Sequence, residues 1–177
     1  FPGGLPFYTY ARTLFDTSLY AEEIAKDYLE NAYGKDYEKF AAYLNKVGRI
    51  FNYSYIEGEF SANEKVGKYY NPDYSKSLDA LDAVFEEGKS LIEEHYNSDV
   101  RVHTVSVRLL EMHLTYLEGF INIIEKKACY DDEGALLAFR EFNRNIGVYE
   151  KQFENCFDLG QLVGHIEYTI VNLQHND

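Results

Sequence analysis

Apolar side chains recur three and four positions apart along almost the whole chain, with charged and amide residues between them. That is the period of an amphipathic α-helix, and it predicts an all-α protein with no sheet, an antiparallel bundle of about six to seven helices. The only prolines are Pro2, Pro6 and Pro72, so few positions forbid a helix outright. A short helix is expected from Phe7 to Phe15. Asp16 to Ser18 offer an N-cap to a second, with Glu22 and Glu23 in its first turn and Gly34 as its stop. Asp36 can cap a third, whose Tyr37, Phe40, Ala41, Leu44, Val47, Ile50 and Phe51 share one face, fading near Tyr53 to Glu57. Residues 58–71 read as a long connection with room for a helical turn near Glu64 to Tyr69.

Asp73 or Ser75 then opens a helix carrying Leu78, Leu81, Val84, Phe85, Leu91 and Ile92 toward Tyr96, weakened mildly at Gly88. Ser98 or Asp99 starts the longest segment, about Val100 to Lys127, with Val107, Leu110, Leu114, Leu117, Ile121 and Ile124 inward. This segment should be the central helix. Asp131 or Asp132 caps the next, with Leu136, Phe139, Phe142, Ile146, Tyr149 and Phe153 inward, and Asp158 caps the last, with Leu162, Val163, Ile166 and Ile170. The helices differ in length and no repeat of constant period emerges, which disfavours a solenoid.

Composition narrows the partners. At 177 residues with 46% hydrophobic content, the chain suits one domain with a core that needs neither disulfides nor metals. Thirty acidic against seventeen basic residues give a formal charge of -13, which repels phosphate backbones and anionic lipids and argues against nucleic acid and membranes as partners. No apolar run approaches the roughly 20 residues needed to cross a bilayer. Cys129 and Cys156 do not make a disulfide framework and read as a pair of buried thiols, with a bridge between neighbouring helices left open. Seventeen tyrosines at helical spacing read as rings packed in the core with their hydroxyls at the surface.

Candidate chemistry is sparse. None of His95, His103, His113, His165 and His175 lies in a Glu-x-x-His or His-Glu-x-x-His arrangement, so neither metal nor cofactor is expected. His113 falls beside the stripe of Leu110, Leu114 and Leu117 and reads as a hydrogen-bonded core histidine. There is no Gly-rich phosphate loop, nucleophile elbow or Cys-x-x-Cys. The adjacent acids Glu57 and Glu59, or Glu86 and Glu87, read as a solvated face, since glycosidases draw their two carboxylates from separate elements flanking a cleft.

The opening stretch is the most distinctive. Leu5-Pro6-Phe7-Tyr8 and Ala11-Arg12-Thr13-Leu14-Phe15-Asp16, then Tyr33-Gly34, and later Ser106-Val107-Arg108-Leu109-Leu110 with His113 and Tyr116, resemble the C-terminal helical region of domain-of-unknown-function family 4838, itself similar to alpha-glucuronidases. Phe15 stands where that pattern would carry Trp. The resemblance implies a catalytic (β/α)8 barrel followed directly by this helical domain, with the catalytic acids in the barrel and none in this chain. With no initiator methionine, signal or transit pattern at its start, the chain is expected to be a domain excised from a larger protein. It would be a non-catalytic accessory domain of a glycoside hydrolase-like protein. Phe7, Tyr8, Tyr10, Arg12 and Phe15 are the candidate ligand or domain-interface residues. An Arg flanked by Tyr rings can hold a sugar carboxylate bidentately, or it can pair with one of the many acids. Separated from the barrel, the aromatic stretch would support a weak homodimer. The alternative is an independent helical module that docks a partner through the same residues.

Overall fold

In the computed structural model, which describes residues 4–50, 70–155 and 158–172, every regular element is helical. The protein is an all-α helical bundle, with no strand among the described residues. Residues 58–69 of the connection expected over 58–71, the Glu57 and Glu59 pair, Phe51, Cys156 and His175 lie outside the described residues, and Cys129, expected to be buried, is exposed. None of the helices described is long and apolar enough to cross a membrane.

The helices are α1 (Leu5–Phe15), α2 (Ala21–Tyr33), α3 (Tyr37–Ile50), α4 (Pro72–Leu78), α5 (Leu81–His95), α6 (Arg101–Ala128), α7 (Asp132–Gly147), α8 (Glu150–Phe153) and α9 (Leu159–Ile166). They fall into two compact units, Phe1–Gly48 with Val84–His113 and Arg49–Ala83 with Leu114–Asp177.

In the first unit, Gly34 ends α2 with a φ of 74°, the left-handed region that a side chain resists. A Cβ there would also lie 2.8 Å from the His103 ring. A 3-10 turn, Gly34–Asp36, leads straight into α3, so Asp36 is not a simple cap. Its carboxylate lies 3.3 Å from His95 Nε2 and 3.7 Å from Lys39 Nζ. The core is built from Ile24, Phe40, Val47, Phe85, Ile92, Val107 and Leu110, with Tyr33 stacked on Phe40 at 4.1 Å and 9°. Tyr43, absent from the expected α3 face, is fully buried. Gly88 explains it: a Cβ there would come within 2.6 Å of the Tyr43 ring, so the glycine that weakens α5 as a helix admits an aromatic side chain against its backbone.

In the second unit, the helix expected to open at Asp73 or Ser75 begins instead at Pro72. Asn71 Oδ1 accepts from the Tyr74 amide at 3.1 Å, and proline takes the first helical position, where its missing N–H costs nothing. The single helix expected toward Tyr96 is broken at Asp79 and Ala80 into α4 and α5. Asp131 and Asp158 cap α7 and α9, each accepting from a backbone amide at 2.8 Å. Leu136, expected inward, is exposed, because α7 packs through Ala135, Ala138, Phe139, Phe142 and Ile146. Beyond α9 the chain widens into a π turn over Glu167–Val171 that buries Ile170 and Val171 and packs on α7.

Lys127 near the end of α6 is fully buried. Its ammonium donates to Asp132 Oδ1, which also accepts from the Tyr70 hydroxyl at 2.8 Å, and it sits 5.5 Å from the centre of the Tyr70 ring. Removing one partner of a buried pair weakens the compensation of the other charge. Asp132→Ala should therefore destabilise the fold measurably, and by more than Lys127→Met does. Urea unfolding reads both, and an unchanged midpoint for Asp132→Ala would show that the pair does not hold this corner.

Candidate functional site

Helix α1 is turned so that its apolar stripe faces outward. Phe7, Tyr10 and Leu14, spaced three and four apart, are 79%, 66% and 66% exposed, and Phe15 at the helix end is 93% exposed. The opposite side carries Leu5, Tyr8, Thr9, Arg12 and Thr13, all partly covered. The five candidate residues thus separate into an outward group, Phe7, Tyr10 and Phe15, and an inward pair, Tyr8 and Arg12.

The inward pair meets α2. The Tyr8 hydroxyl donates to Asp27 Oδ2 at 2.5 Å, and Arg12 Nη1 donates to the same oxygen at 2.8 Å and to the Tyr8 hydroxyl at 3.0 Å. Tyr8 and Arg12 lie one helical turn apart, so both side chains can converge on one acceptor. Asn31 Nδ2, one turn on from Asp27, donates to Asp27 Oδ1 at 3.1 Å and to the Asp27 carbonyl at 2.7 Å. Tyr28 tilts against Tyr8 with ring centres 5.3 Å apart. Hydrogen bonding to Tyr8, then the nearby Asp27 and Asp16 charges, push the Arg12 guanidinium further up, while burial raises the Tyr28 phenol. Arg12 therefore takes the ion-pair role.

Around this cluster lies a cleft of about 550 Å³, lined by Tyr8, Arg12, Asp27, Tyr28, Asn31, Ala32, Val102 and Ser106. Its walls come from α1, α2 and the first two turns of α6, all within the first unit. The sequence pointed to Tyr8 and Arg12 but not to Asp27, Tyr28, Asn31 or Ser106. The signal available was the four-residue spacing of Asp27 and Asn31, matching that of Tyr8 and Arg12. Among thirty acidic residues, it could not single out Asp27.

A second cleft of about 360 Å³ gathers Gly34, Asp36, His95, Ser98, Asp99 and His103. His95 Nδ1 lies 3.0 Å from the Leu91 carbonyl and Nε2 3.3 Å from Asp36, and the His95 hydrogen bond is the main reason that the Asp36 carboxyl is held low. No group of three or more metal-ligating side chains converges among the described residues.

The fold and these clefts define an all-α protein with a polar cleft on one side of its first helix and a bare aromatic stripe on the other. No known protein family, curated protein or solved structure matches the chain.

The Arg12–Asp27 pair is 42% and 41% exposed, so solvent screens it, and Arg12→Ala should leave the thermal midpoint nearly unchanged. A clear drop in thermal unfolding would mean that the pair carries the α1–α2 contact. His113 behaves differently, since burial pushes its imidazole down from 6.5 to about 4. Between those values the unfolded chain binds a proton that the folded chain does not, so stability falls as the pH drops through that window, by about 3 kcal/mol when complete. His113→Gln should flatten this decline, and equal slopes for variant and wild type would remove His113 as its source.

Proposed function

We propose that this chain is a non-catalytic helical accessory domain of a carbohydrate-active, glycoside hydrolase-like protein, docking through the outer face of α1 on a (β/α)8 catalytic barrel. The observation that supports this reading is the direction in which α1 faces. A surface helix normally buries its apolar stripe and shows its charges. Here the polar side is engaged with Asp27, and Phe7, Tyr10, Leu14 and Phe15 remain in water. Contiguous exposed apolar surface of this kind marks interaction sites. With the polar side of α1 turned to α2, the stripe is left for a partner to cover from outside.

Burying such a stripe is worth several kcal/mol at roughly 25 cal/mol per Å², before association costs are subtracted. That suits a domain tethered to its partner, and in the isolated chain it suits weak self-pairing through the same face. The resemblance of Leu5 to Asp16 and Ser106 to Leu110 to the helical region that follows a barrel supports a barrel as that partner. The division of labour follows: the barrel carries the glycosidic chemistry and the helical domain supports it.

The test joins this chain in solution to the barrel encoded in the same reading frame and follows complex formation by sedimentation. A one-to-one complex is expected. Phe7→Ser combined with Leu14→Ser should weaken it at least about tenfold while leaving the helical circular dichroism intact, because both side chains are exposed. A reading frame without a barrel, or equal binding of the variant, overturns the proposal. The isolated chain should hydrolyse no aryl glycoside, and turnover that disappears on changing one acidic residue would make it an enzyme instead.

A further inference from the structure

The cleft beside α1 has its own chemistry, distinct from that of the outward stripe. Its charges cancel: Arg12 and Asp27 are 2.8 Å apart. An anionic ligand would gain from Arg12 but be repelled by Asp27 beside it, on a chain that already carries a charge of -13. A cationic ligand faces the reverse problem. A neutral ligand meets neither penalty.

The polar groups keep hydrogen-bonding capacity suited to hydroxyls. Both bonds assigned to Arg12 leave from Nη1, so the donors on Nη2 and Nε stay available, and the Asn31 amide donates through Nδ2 and keeps its oxygen as an acceptor. Ionised, Asp27 has about four lone-pair sites and can accept more than the three bonds made here to its carboxylate. A hydroxyl both donates and accepts, so two neighbouring hydroxyls can bridge a carboxylate or amide oxygen and a guanidinium N–H at once. Tyr8 and Tyr28 add aromatic wall, Ala32 and Val102 add apolar wall, and Ser106, only 5% exposed, is a further polar lining residue. A few convergent polar groups in an otherwise apolar and aromatic cleft of about 550 Å³ are the usual build of a small-ligand site.

We infer that this cleft binds a neutral polyhydroxylated ligand, a saccharide ring or a cyclic polyol, with Arg12, Asp27 and Asn31 reading a pair of adjacent hydroxyls and Tyr8 and Tyr28 flanking the ring. This goes beyond the accessory-domain reading, which concerns the other face of α1, and each can fail without the other.

The experiment titrates the 177-residue chain with methyl glycosides of neutral hexoses and with myo-inositol, following amide shifts by NMR. Glucuronate serves as the anionic comparator and cyclohexanol as the apolar one. At least one neutral polyhydroxylated probe should saturate, shifting residues of α1, α2 and the start of α6, and should bind more tightly than either comparator. Asn31→Ala, at an exposed position where the fold tolerates truncation, should weaken binding about tenfold by removing a hydrogen-bonding partner. Val102→Trp, which adds bulk at the half-exposed rim of the cleft and removes none of its polar groups, should abolish it. Phe7→Ser with Leu14→Ser should bind like wild type, separating this site from the docking face. No saturable binding of any neutral probe, tighter binding of glucuronate or cyclohexanol, or binding unaffected by both Asn31→Ala and Val102→Trp would each overturn the inference.

Discussion

One helix sets the terms for the rest. Along α6, Val107, Leu109, Leu110, Met112, Leu114, Leu117, Phe120, Ile121, Ile123, Ile124 and Ala128 are all buried, and at 100° per residue they wrap more than half of its circumference. A helix apolar over so wide an arc is stable only when other elements surround it. The chain supplies such elements on both sides of α6 in sequence, and the helix passes from the first compact unit into the second at His113 and Leu114. Burial on this scale also explains why His113 stays neutral.

Against that background α1 is the exception. Every other long helix described here buries at least two large apolar side chains, whereas α1 has no buried residue at all. A stripe of Phe7, Tyr10 and Leu14 could in principle have packed inward. Its other side meets α2 through a compact polar contact, two donors on one oxygen of Asp27, with that carboxylate steadied from its own helix by Asn31. The geometry that exposes the stripe also forms the cleft, so the two surfaces through which this protein is read as acting have one structural origin.

Buried polarity elsewhere follows one rule. Lys127 lies out of water with Asp132 and Tyr70 against it, and His95, largely covered, is held between the Leu91 carbonyl and Asp36. Each fixes a junction: the entry to α4 and the corner from α6 into α7 in one unit, and the approach of α5 to the α2–α3 turn in the other. A charge or imidazole placed there tolerates few arrangements, because any other would leave it unpaired in a medium of low polarity.

The helical class, the buried faces of α5 and α6, the glycine stop at Gly34 and the caps at Asp131 and Asp158 were legible in the sequence, because helix period and cap chemistry act over a few neighbouring residues. Local rules also misplaced some features for identifiable reasons. Leu136 was assigned inward by period alone, but α7 packs through its alanines. Gly88 counted as a weakness until Tyr43 was seen lying against it. The candidate set Phe7, Tyr8, Tyr10, Arg12 and Phe15 was found from the sequence, yet its division into an outward stripe and an inward pair was not, since that depends on Asp27 nineteen residues beyond Tyr8. Nothing in a chain with thirty carboxylates says which one an arginine will meet. Ion pairs and clefts are made between elements, and only the packing of those elements selects the partner.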